Sequence, residues 1–183
     1  MADKKKKQAG RRAYLNDFHR DLTGAYIYDG SHFHFAGDGW KQALLRLWAL
    51  GIVLVVLVLA GGFSGETMAH CVFQILPYLM EVGAVGSVVW ALVRLTSGGE
   101  KLRAYVYKAT VQALPGRAVL VMCAAGAGML GTALCMIVHG TAGRLAGLLL
   151  CLLLKAALLA GAWLLRRYVQ TLPWEGPPEE TAD

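Results

Sequence analysis

The chain is 183 residues long, 56% hydrophobic and only 16% charged, with 22 glycines and a formal net charge of +6. Its mean hydropathy is +0.48, which excludes an ordinary soluble domain and fits a polytopic membrane protein. The expected fold class is an all-α integral membrane protein: a four-transmembrane-helix bundle with a small cytoplasmic N-terminal β-hairpin and a short amphipathic interfacial helix between helices two and three.

In chain order, residues 1–24 form a basic arm containing Lys4, Lys5, Lys6, Lys7, Arg11 and Arg12. Near a membrane each such residue gains about 1 kcal/mol from anionic headgroups; equally, the arm is a solvated tail that enforces topology. No aromatic-rich basic platform accompanies the lysines, so nucleic acid is not an expected partner. Residues 25–42 carry Tyr26, Tyr28, Phe33 and Phe35 around Asp29-Gly30, the pair favoured in a two-residue type I′ turn. A hairpin in that register sets Tyr26 opposite Phe33 and puts the aromatics on one face. His32 and His34 fall on the other face as weak metal candidates, with no nearby Cys or third His to complete a tetrahedral set. Trp40 reads as an interfacial anchor against headgroups.

Four apolar runs follow, at 43–63, 71–95, 118–138 and 145–165. Each has about 20 residues, enough at about 1.5 Å per residue for a hydrocarbon core of roughly 30 Å. The first lies beyond a hydrophilic arm with no convincing small-residue cleavage site, so it is expected to stay as an uncleaved anchor. Between the second and third runs, residues 100–114 are bounded by Gly98-Gly99 and Pro115-Gly116. Leu102, Val106, Ala109 and Ala113 recur there at helical spacing, which predicts the interfacial helix. Residues 166–183 form a cytoplasmic tail that ends in an acidic, proline-containing stretch after Trp174 and is expected to be disordered.

Lys and Arg cluster before the first run, between the second and third (Arg94, Lys101, Arg103, Lys108, Arg117) and after the fourth (Arg166, Arg167). The positive-inside rule then places both termini and the central loop in the cytoplasm. The two remaining loops are too short for an extracellular receptor domain. The layout, a small Ala/Leu/Gly-rich four-helix protein with a basic start, resembles that of many bacterial inner-membrane proteins, a resemblance that implies the expected location without carrying a function.

The chemistry inside the runs centres on Glu81 and Lys155, each about ten residues from the outer end of its run and so at one depth near the midplane. A charge there costs about 2.5–3.5 kcal/mol on insertion scales, so it needs a partner or a task. Lys155 continues the small-residue row Gly143, Gly147, Cys151 at i, i+4 spacing, which favours close helix approach. Pro77, one turn before Glu81, removes a backbone hydrogen bond and leaves that turn free to kink. Three readings compete: a structural ion pair, a transport or proton-handling site in which the pair opens, and independent behaviour with Lys155 snorkelling and Glu81 protonated or bound to another subunit.

The third run offers two small-xxx-small stripes, Ala124/Gly128/Thr132 and Ala127/Gly131/Cys135, a common packing pattern. The four cysteines lack CxxC spacing; Cys71 and Cys135 lie toward the outer ends and read as thiols before they read as a bridge. Glu66, His70 and His139 also fall at the outer face, by chance or as a weak metal or proton-entry group. No nucleophile constellation, HExxH or phosphate-binding glycine loop is present, so neither an enzyme nor a cofactor is expected. An accessory or interaction subunit of a membrane complex, with a membrane-protein partner or further copies of itself, ranks first. A small proton or solute transporter or channel using the Glu81/Lys155 pair ranks second.

Overall fold

In the computed structural model, residues 18–20, 26–28, 32–37, 39–63, 72–140 and 145–176 are described. Three short strands, β1 (Phe18–Arg20), β2 (Tyr26–Tyr28) and β3 (His32–Phe35), precede helix α1 (Trp40–Phe63). Helix α2 (Val72–Gly98) leads through β4 (Lys101–Arg103) and the short α3 (Ala104–Ala109) to α4 (Leu114–His139). Helix α5 (Leu145–Gln170) and β5 (Trp174–Glu175) complete the order.

The four long helices hold 24, 27, 26 and 26 residues and are long and apolar enough to cross a membrane. Each buries a stripe at spacing three and four: Trp40, Ala43, Leu47, Gly51, Leu54 and Val58 on α1, and Leu148, Cys151, Lys155, Leu158, Ala162, Leu165 and Val169 on α5. Their outward faces are also apolar, with Ile52, Val56, Leu59, Trp90, Leu130 and Leu153 exposed. Water would penalise such a surface, whereas hydrocarbon would not. The helices pack in a ring, α1 on α2, α2 on α4, α4 on α5 and α5 back on α1. Helices α2 and α5 therefore stand across the bundle from each other.

A three-stranded antiparallel sheet in the order β4-β3-β5 closes one end. It ties together the segments that enter α1, leave α2 and leave α5. Gly99, at φ +71, makes the turn from α2 into β4 that a residue with a Cβ would resist. Against the sheet sits an aromatic cluster. Phe33 stacks on Tyr107 at 4.0 Å, and Trp174 meets Phe35, Trp40 and Tyr107 edge-on or tilted at 5.4–5.6 Å, geometries that ring quadrupoles favour.

The sheet corrects four expectations. The hairpin register is different: β2 pairs with β1, setting Tyr26 opposite Arg20, while Phe33 lies opposite Leu102. Pairing with β4 and β5 lets the β3 aromatics reach Tyr107 and Trp174, which a local hairpin would not offer. The anticipated helix over 100–114 is divided, because β3 takes residues 101–103 as a strand and only Ala104–Ala109 is helical. Its end is fixed at Thr110, whose N–H and hydroxyl both donate to the Val106 carbonyl. Pro115, read as a stop signal, sits instead in the first turn of α4, where its missing N–H costs nothing. In the tail, α5 continues to Gln170 and β5 pairs with β3, so the disorder expected from residue 166 does not extend over 166–175; residues 177–183 lie outside the described residues.

Two further contacts set helix register near this end. Trp48 Nε1 donates to Thr96 Oγ1 at 2.9 Å across α1 and α2. Arg117, in the first turns of α4, donates to the Ser87 carbonyl of α2 at 2.6 Å and to the Ala109 carbonyl at 3.3 Å.

Candidate functional site at the bundle centre

Helical geometry gathers the site. Gln74 and Glu81 are two turns apart on one face of α2, Gly128 and Thr132 one turn apart on α4, and Cys151 and Lys155 one turn apart on α5. All six are buried and face the same interior. Lys155 Nζ donates to Glu81 Oε1 at 2.6 Å, with the two side chains only 5% and 4% exposed.

Because α2 and α5 are not neighbours in the ring, this ion pair crosses the bundle interior and passes over α4. Gly128 makes the passage possible. A Cβ built there would collide with Glu81 Oε1 and come within 2.5 Å of Lys155 Nζ and 3.0 Å of Lys155 Cε. The stripe that the sequence presents as packing thus has a specific task at one position: it leaves room for two charged groups to meet.

One turn further from the sheet, Pro77 removes the amide that would bond to the Phe73 carbonyl. Gly131 of α4 lies against that carbonyl: a Cβ at this position would collide with the Phe73 oxygen and sit 3.7 Å from Pro77 Cγ. Helix α2 nevertheless runs unbroken through Pro77, from Val72 to Gly98. The weakened turn is covered by the close approach of a neighbouring backbone.

Thr132 extends the polar contacts. Its hydroxyl donates to the Gly128 carbonyl at 2.9 Å and accepts from Gln74 Nε2 at 3.3 Å. Gln74 is fully buried, yet its Oε1 has no hydrogen-bond partner. Inverting the amide would not help, since the Thr132 hydrogen is already committed to Gly128 and Nε2 would then be orphaned. A buried amide left half-satisfied is costly, on the order of 1–3 kcal/mol.

Toward the sheet the interior is apolar apart from Thr110, whose hydroxyl is held by the Val106 carbonyl. Val88, Leu92, Leu95, Leu114, Ala118, Val121 and Leu165 are all essentially inaccessible. The polar groups therefore run from the far end to the middle and stop at a close-packed plug. Chemically, the arrangement neutralises two charges against each other and holds three helices in register.

The remaining candidates are dispersed. His32 and His34 occupy exposed positions of β3, opposite Arg103 and Lys101 in register, where neighbouring cations oppose a bound metal. Among the described residues no group of three or more His, Cys, Asp or Glu forms a potential metal set. Trp40 is 7% exposed and faces Phe35 and Trp174, which corrects its reading as a headgroup anchor. Lys4 to Lys7, Arg11, Arg12, Glu66, His70, Cys71 and Gly143 lie outside the described residues. Sequence reasoning passed over Gln74 and Thr132. The available signal was a lone amide seven residues before Glu81 in an otherwise apolar run.

No family model, no curated protein and no solved structure matches the chain. Fold and site define it as a bundle of four membrane-length helices, capped at one end by a small sheet and pinned at its centre by an ion pair.

Proposed function

We propose that the chain is a four-pass protein of a bacterial plasma membrane, with its sheet and both termini in the cytoplasm, acting as an accessory or interaction subunit of a membrane complex. Orientation is supported by charge: within the bundle and its sheet, every described Lys or Arg except Lys155 lies toward the sheet end, from Lys41 and Arg46 to Arg166 and Arg167. Lys4 to Lys7, Arg11 and Arg12 would add headgroup attraction on the same side.

The observation that carries the accessory role is the closed Glu81–Lys155 contact above an apolar plug. A pair in direct contact, held over a glycine and sealed on one side, behaves as a clamp on helix packing and provides no route through a single copy. What remains for interaction is the polar sheet end and the lipid-facing helix surfaces. Affinity purification from native membranes with mass spectrometry tests this. A membrane protein recovered in stoichiometric amount is expected; recovery of the chain alone at every detergent strength would overturn the role.

A second reading, proton or solute transport through the pair, is favoured by the unpartnered Gln74 Oε1, which extends polarity from the far end toward Glu81. It requires Glu81→Gln to abolish flux in liposomes while leaving thermal stability unchanged. The clamp reading requires the stability to fall.

A further inference from the structure

Where α2 ends, Arg94, Ser97, Gly98, Lys101, Leu102, Arg103, Tyr105 and Val106 line a cavity of about 350 Å³. This is the low end of the range of ligand sites, roughly 300–1,000 Å³. Among the described residues that line it, the charged groups are Arg94, Lys101 and Arg103, with no carboxylate. Lys101 and Arg103 project from the same face of β4, because Leu102 between them turns inward onto Gly98. Arg94 approaches from the last turns of α2.

We infer that this cavity binds the phosphate of an anionic phospholipid headgroup. Guanidiniums match phosphate oxygens two at a time, and the lysine adds a mobile point charge. The α2 C-terminus directs about half a negative charge to the same place; Arg94 and Lys101 together outweigh it, where a single cation would leave little net attraction. The lipid is favoured over a soluble anion by what lies beside the cavity. Continuing up α2 from Arg94, Trp90 and Val93 are exposed, and a Cβ at Gly86 or Gly83 would meet nothing within 4 Å. That face offers an apolar, shallow lane for acyl chains directly above the cationic group. The site rests on the membrane reading but not on the accessory role.

Carbonate extraction of membranes, run first, tests the membrane reading alone: release of the protein would overturn it. Native mass spectrometry of the detergent-solubilised full chain, titrated with phosphatidylglycerol or phosphatidylcholine, then tests the site. Phosphatidylglycerol should bind about tenfold tighter or better, the scale expected from a few basic residues at a membrane surface. Arg94→Gln/Lys101→Gln should remove that preference. Arg166→Gln/Arg167→Gln, which removes the same charge from the same end, should keep it; Arg167 there already lies over the Trp163 ring at 5.4 Å. If the first double variant fails to fold, Lys101→Gln alone, at an exposed strand position, should still lower the preference several-fold, on the scale of one basic residue. Absence of preference in the unmodified chain, or equal loss in both double variants, would overturn the site. Displacement of phosphatidylglycerol by inorganic phosphate at equal concentration would overturn the lipid as its occupant.

Discussion

The two halves of the bundle are held by different forces. Beside the sheet, helices interlock through apolar side chains: a Cβ at Gly51 would come within 2.6 Å of Leu92 Cδ1, and Phe35, Trp40, Tyr107 and Trp174 cap the end. Beyond Glu81, apolar packing at Val58 and Leu148 is joined by polar contacts, from the ion pair through Thr132 to Gln74, with Gly131 where a backbone approaches. On the membrane placement proposed above, apolar side chains gain nothing from leaving water, so the first half relies on dispersion and shape with the Trp48–Thr96 and Arg117–Ser87 hydrogen bonds at its helix ends, while the second gains direction from buried groups that hydrocarbon would penalise if unpaired. Shape holds helices together; polar contacts decide which faces meet.

Breaking the polar half should have the largest effect. Lys155→Met or Glu81→Gln alone strands the partner and should cost about 3–5 kcal/mol, read as a lower Tm in detergent, while the double substitution recovers most of it. Simple addition of the two losses would show that the residues act separately. Next, Gly128→Ala should cost about 3 kcal/mol, the upper range of overpacking, because the displaced neighbours are the paired charges. The same change at Gly86, where a Cβ meets nothing, should instead be neutral or stabilising by up to about 1 kcal/mol from helix propensity.

In the apolar half, Leu92→Ala should cost about 2 kcal/mol, the low end for such cavities because the water-transfer part is missing in lipid. The smallest effect belongs to Gln74→Leu. Removing an amide already half-satisfied should change stability by less than about 1 kcal/mol in either direction. A large loss of flux with unchanged Tm in that variant would favour transport over clamping.

The long helices were legible because apolar runs of that length admit few alternatives once backbone groups must be satisfied within the segment. The strand pairings were not, since β3 chooses between β2 nearby and β4 and β5 some 70 and 140 positions away on aromatic contacts that no local window contains. Trp40 illustrates the same limit. An aromatic residue at the start of a membrane-length helix suggests a headgroup contact, and its burial against Trp174 depends on where a distant segment returns.

What the amino-acid sequence determined by itself was the helix count and the existence of two opposite charges at one depth, because hydrophobicity and rise per residue are local properties. Only the tertiary structure decided that those charges meet across the bundle, and that Gly128 on a third helix leaves them the room. A contact between helices that are not neighbours depends on the whole ring of packing, which no single segment encodes.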